Sequence, residues 1–64
     1  MKQRMLDAKG KLIGWLDEQP NGDIMCTDAY GRLKGWYRKQ FDATDDAYGR
    51  LVARGNVVAS LLYR

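Results

Sequence analysis

One phrase, Asp-Ala-x-Gly-(Lys/Arg)-Leu, is written three times in this chain: LDAKGKL at 6–12, TDAYGRL at 27–33 and DDAYGRL at 45–51. Its residues are turn chemistry. Asp at the first position of a type I turn accepts a backbone N–H two residues on, and Gly at the fourth supplies the left-handed conformation that follows. A type I turn with Gly in that place is a common connection between antiparallel strands. Asp7–Gly10, Asp28–Gly31 and Asp46–Gly49 are therefore expected to be three hairpin tips. A fourth turn is expected at Gln19-Pro20-Asn21-Gly22, by different residues: Pro presets φ and Asn-Gly tolerates positive φ.

The segments between the turns read as strands. KLIGWLD (11–17) alternates, with Leu12, Gly14 and Leu16 on one face and Ile13 and Trp15 on the other. RLKGWYRK (32–39) sets Leu33, Gly35 and Tyr37 against Arg32, Lys34, Trp36 and Arg38. DIMCT (23–27), RLVAR (50–54) and QRML (3–6) are shorter, and KQFDAT (39–44) is expected to pair into the third hairpin. Short strands between closely spaced turns predict an all-β fold, a small antiparallel meander of hairpins forming a single domain.

The hairpins are also internal repeats, over about 4–24, 25–42 and 43–54. Gly10 and Gly31, like Gly14-Trp15 and Gly35-Trp36, are offset by 21 residues. The third unit follows after 18 and has Ala53-Arg54 in place of Gly-Trp. Units of such short period bury their apolar faces against their neighbours, and an atypical last unit fits a capping element. The tail, 55–64, is patterned differently. Apolar residues at 57, 58, 61 and 62, with Asn56 placed to cap, predict a short helix; alternation of Val57, Ala59, Leu61 and Tyr63 keeps a strand open.

Sixty-four residues give a thin core, which small proteins often supplement with disulfides, a metal or a partner subunit. Cys26 is the single cysteine and there is no histidine, so neither a disulfide nor a tetrahedral zinc site is expected. Self-association, with good packing of two Trp, four Tyr and one Phe, is the remaining route, and a homo-oligomer is expected. The net charge of +3 is mild for a nucleic-acid binder. No apolar run reaches membrane-spanning length and the charged N-terminus is no secretory signal, so a cytoplasmic protein without a membrane partner is expected.

Catalysis has little to stand on. Cys26 lacks a histidine base, Asp45 and Asp46 are adjacent and so point to opposite faces of a strand, and no phosphate-loop spacing occurs. No cofactor and no metal are expected. The candidate surface for a protein partner is aromatic: Trp15, Tyr30, Trp36, Tyr37 and Tyr48. The alternative is a single-strand nucleic-acid surface of Arg32, Lys34, Trp36, Arg38 and Lys39, where cations would neutralise phosphates and the indole would stack on bases. The bland readings are that each Gly lets its indole fill the core, and that the cations make a solvated strand face that discourages edge pairing.

The units DAKGKLIGWL and DAYGRLKGWY resemble the repeat of small bacterial four-fold β-flower proteins, whose hairpins carry a D-x-x-G-x-x-x-G-(W/Y/F) phrase around a pseudo-symmetry axis. The resemblance covers roughly 4–54 and implies a fold more than an activity. The same residues are similar to choline-binding wall repeats, which implies aromatic cages for quaternary ammonium, although Met25 and Cys26 stand where that family has paired aromatics. DAYGRL is also similar to the YD repeats of Rhs-type toxin shells. The function expected is a non-enzymatic interaction module, of a kind a phage or mobile element could use to block a host complex.

Overall fold

The computed structural model describes residues 2–63. Six strands form one antiparallel sheet in the order of the chain: β1 (Lys2–Leu6), β2 (Leu12–Glu18), β3 (Ile24–Asp28), β4 (Leu33–Arg38), β5 (Ala43–Asp46) and β6 (Leu51–Arg54). The fold is the all-β meander that the turn phrases predict. Two 3-10 helices complete it, at Lys39–Phe41 and Val58–Tyr63.

The turns behave as their residues dictate. In each copy of the phrase the Gly N–H donates to the Asp carbonyl at 3.0 Å, and Gly10, Gly31 and Gly49 have φ of 81°, 83° and 82°. The Asp carboxylate accepts two backbone N–H groups, from the residues two and four further on, at 2.8–2.9 Å. Gln19–Gly22 closes in the same geometry: the Gly22 N–H donates to the Gln19 carbonyl at 2.9 Å, with φ of 94° at Gly22. Different residues thus make the same kind of turn there, and Asn21 keeps a negative φ, its Oδ1 accepting the Asp23 N–H at 3.0 Å.

Each of the three repeated hairpins also contains a β-bulge at one equivalent place. Met5 pairs with Gly14 and Leu6 with Leu12, which leaves Ile13 over; Cys26 pairs with Gly35 and Thr27 with Leu33, leaving Lys34; Thr44 pairs with Ala53 and Asp45 with Leu51, leaving Val52. The extra residues carry the same 21- and 18-residue offsets as the phrase. A bulge breaks strict alternation and increases local twist. That is why simple alternation fails around Lys34, as described below.

The 3-10 helix Val58–Tyr63 lies across one face of the sheet, over β2 to β5 and mainly over β3 and β4. Asn56 does cap it, its Oδ1 accepting the Val58 N–H at 3.3 Å. Val58 and Leu61, three apart and so stacked on one side of a 3-10 turn, are buried; Val57 points outward. They close a core around Cys26, with Leu16, Ile24, Tyr37, Val52 and Leu62 packed at its margin. Full burial of side chains such as Val58 and Leu61 stabilises by about 1.5–3 kcal/mol each. Thr44 is buried beside them: its hydroxyl donates to the Gly55 carbonyl at 2.8 Å and accepts the Val57 N–H at 3.1 Å, tying β5 to the segment that leads into the helix.

The Gly of each Gly-Trp pair serves this helix. A Cβ on Gly14 would lie 2.5 Å from Leu62 Cδ2, and one on Gly35 would lie 2.6 Å from Leu61 Cδ1. The indoles therefore do not fill the core through the adjacent glycines; Trp15 and Trp36 stand half-buried on the opposite, uncovered face. β6 lies outside the main footprint of the helix, so its equivalent position tolerates Ala53. The expected strand 39–44 is also divided: Lys39–Phe41 is a 3-10 turn, Asp42 is left-handed with φ of 46°, and β5 begins at Ala43.

Candidate interaction surfaces

In a meander, alternate connections fall at the same end of the sheet. The three repeated turns join β1 to β2, β3 to β4 and β5 to β6, so all three tips line one end. Successive tips are two strands apart, about 10 Å at the usual strand spacing. The row reads Lys9, Tyr30, Tyr48.

Tyr30 and Tyr48 are each 84 % exposed, and each sits in the same frame. The Arg32 guanidinium donates from Nε to Asp28 Oδ2 at 3.0 Å and lies over the Tyr30 ring, 5.5 Å from its centroid. Arg50 repeats this with Asp46 at 3.1 Å and Tyr48 at 5.3 Å. The carboxylate thus holds the backbone of the turn and the guanidinium together, and the guanidinium holds the ring by cation–π attraction. The Arg32 backbone N–H, with help from the Tyr30 N–H and the Arg32 side chain, draws Asp28 below the ordinary carboxylate value; the Arg50 backbone N–H does the same for Asp46. The first tip has the same backbone bonds, but Lys9 and Lys11 replace Tyr and Arg. The sequence points to the two tyrosines, and to Arg50 only as an extension of the basic patch; the pairing of Arg32 and Arg50 with the ring and carboxylate of their own turns was missed. The repeated string Tyr-Gly-Arg was the available signal, because a left-handed Gly between them folds the ring and the guanidinium back on one another.

Between the second and third tips, on the helix side, is a shallow hollow lined by Leu33, Lys34, Asp46, Ala47, Tyr48 and Leu61. The bulge in β4 delivers Lys34 to it. Lys34 therefore faces the helix side and not the side of Trp36. Cys26 is buried in the floor of the sheet nearby, and that burial pushes its thiol up to about 11, against a smaller opposing effect of the Lys34 charge.

The uncovered face carries Trp15 and Trp36. Lys2 lies over Trp15 at 5.2 Å and Arg38 over Trp36 at 4.8 Å. One row of directly paired residues crosses the sheet there: Lys2, Asp17, Met25, Trp36, Asp45 and Leu51. Asp45 belongs to β5 and not to the turn, whereas Asp46 does cap the turn as expected. Tyr37 lies on the covered face, packed against the core, with its hydroxyl donating to Asp42 at 2.8 Å; that bond raises its pKa.

The five aromatics named for a protein partner thus occupy three surfaces: Tyr30 and Tyr48 at the tips, Trp15 and Trp36 on the open face, and Tyr37 under the helix. The five residues named for nucleic acid are spread as widely. Arg32 is at a tip, Lys34 on the helix side, Trp36 and Arg38 on the open face with Arg38 3.6 Å from Asp23, and Lys39 at the opposite end against Gly22. In the open-face row, Trp36 stands directly beside Asp45, whose charge opposes a phosphate.

Among the described residues no helix is long and apolar enough to cross a membrane. Comparison with protein-family models, with curated proteins and with solved structures gives no match.

Proposed function

We propose that this chain is a non-enzymatic interaction module that binds another protein through the hairpin-tip end of its sheet. The observation that carries the reading is the pair Tyr30 and Tyr48, each 84 % exposed, in matching Asp–Arg frames. An exposed aromatic normally loses rotamer freedom when it enters an interface, and here much of that loss has already been taken in the free protein. Tyrosine and arginine are also the residues in which interface energy concentrates. The hollow beside Tyr48 offers Leu33 to an apolar side chain of the partner and Lys34 to an acidic one.

The test is affinity capture from a bacterial lysate, with and without nuclease, using the parent chain and a Tyr30→Ser/Tyr48→Ser variant. The tips are exposed, so the variant keeps the fold, checked by circular dichroism. Capture that resists nuclease and is lost in the variant is the expected result. Capture that the variant retains, or that nuclease abolishes, refutes the reading. Sedimentation of the same two proteins shows whether the tips also serve self-association, which the thin core favours.

A further inference from the structure

At the far end of the open face, Arg38, Ala43 and Arg54 lie directly across from one another on β4, β5 and β6. Ala43 has only a methyl group and is buried, so a gap opens between two arginines whose Cα atoms are about 10 Å apart at the usual strand spacing. Phe41 walls this gap at one side and Leu51 and Asp45 at the other, making a hollow of about 310 Å³. Phe41 is 66 % exposed and Leu51 60 %, although both flank the same depression.

We infer that this hollow binds a carboxylate that carries an apolar group, as at the C-terminus of a chain ending in Phe or Leu. The guanidinium fork matches a carboxylate in two-point geometry, and both arginines line one hollow. Arg38 is fixed in place by Trp36 beneath it and Asp23 beside it, while Arg54 forms no ion pair with any described residue. Phe41, Leu51 and the Ala43 floor accept the apolar group. Asp45 discriminates: its carboxylate repels a dianion such as phosphate more strongly than a single carboxylate, and accepts an N–H, which an acylated amino acid carries beside its carboxylate. The site lies at the opposite end of the sheet from the tips, so it stands apart from the partner surface proposed above.

The experiment titrates the full isotope-labelled chain with N-acetylphenylalanine, its carboxamide, a tetrapeptide ending in Phe, and inorganic phosphate, following backbone amides and the Trp36 indole by NMR. The acid is expected to give saturable shifts at Ala43, Asp45, Leu51 and Arg54. Loss of a charge-assisted pair, in the carboxamide or in Arg54→Ala, weakens binding about tenfold. Ala43→Leu fills the gap and abolishes it; Leu51→Ser, at an exposed position that does not threaten the fold, weakens it independently. Tighter binding of the peptide than of the free acid assigns the source to a chain terminus, and equal binding assigns it to a small acid; both support the site. Carboxamide or phosphate binding as tightly as the acid, Arg54→Ala leaving affinity unchanged, shifts centred elsewhere, or no saturable shift overturns it.

Discussion

Gly35→Ala is the substitution that most directly tests how the sheet and its covering helix fit. The new Cβ would run into the backbone carbonyl of Asp45 on β5, come within 2.6 Å of Leu61 Cδ1, and stand 3.1 Å from Asp46 Cα. Leu61 can rotate, at the expense of its packing, but a carbonyl in a paired strand cannot withdraw without separating β4 from β5. Inserting one carbon into a close-packed core costs about 1–3 kcal/mol, and contact with fixed backbone places this case at about 3 kcal/mol. A chain of this length has about 3–10 kcal/mol of total stability. The melting temperature should therefore fall by about 12–24 °C, at the 4–8 °C per kcal/mol usual for small domains. Gly31→Ala is the control. Nothing lies within 4 Å of its Cβ, so only the left-handed φ of 83° acts, at about 1 kcal/mol. Thermal unfolding followed by circular dichroism ranks the two. If Gly35→Ala melts no lower than Gly31→Ala, contact with the helix and β5 is not what the Gly-Trp motif provides.

Three further outcomes follow from the same contacts. Thr44→Val keeps the shape of the side chain but leaves the Gly55 carbonyl and Val57 N–H without their partner; denaturant unfolding should show a loss of about 2 kcal/mol. Asp28 and Asp46 have folded pKa values below their unfolded ones, so the stability they contribute is full above the ordinary value of 3.8 and is lost as pH falls through the lowered values. An Asp28→Asn/Asp46→Asn variant, which keeps the turn acceptors, should show a flatter fall of melting temperature below about pH 4 than the parent; identical acid limbs would refute the role of charge. Cys26, fully buried with its thiol pushed up to about 11, should resist a disulfide reagent at pH 8 until the chain is unfolded; rapid labelling of the folded protein would show that the helix opens readily.

The turns were legible in the sequence because Asp and Gly bring their own geometry: a carboxylate two residues from the N–H it accepts, and a residue that adopts positive φ. The meander followed from the spacing of those turns. The faces were not legible in full. One extra residue at Ile13, Lys34 and Val52 breaks the alternation on which face assignments rest, so Lys34 was grouped with Trp36, from which the bulge separates it. The role of Gly14 and Gly35 was hidden for another reason. The leucines that approach them, Leu62 and Leu61, come from a tail more than 20 residues further along the chain. The tail was readable as a short helix with an Asn cap, but its 3-10 pitch is decided by the fit of Val58 and Leu61 over Cys26. The hollow beside Arg54 left no signal, since Arg38, Ala43 and Arg54 are neighbours only through strand register.

If the Asp–Arg frame is a property of the phrase and not of its surroundings, it should be transferable to the first tip. Asp7 already accepts the Lys9 and Lys11 N–H groups at 2.8 and 2.9 Å, and Gly10 has a φ of 81°, so that backbone is ready for it. Lys9→Tyr with Lys11→Arg then supplies a ring and a guanidinium at the positions held by Tyr30 and Arg32. Both changes are on an exposed tip, so stability should move by no more than about 0.5 kcal/mol. The new guanidinium should stack on the new ring, with the upfield ring-current shift of its side-chain protons that the same stacking predicts for Arg32 and Arg50 in the parent. The row would then present three aromatics about 10 Å apart, and a partner held by the tips should bind more tightly. The first tip borders an edge strand, β1, as the third borders β6, so an edge position does not by itself set it apart. A double variant that stays folded without the ring-current shift would mean that adjacent hairpins, and not the six-letter phrase, orient the tyrosines.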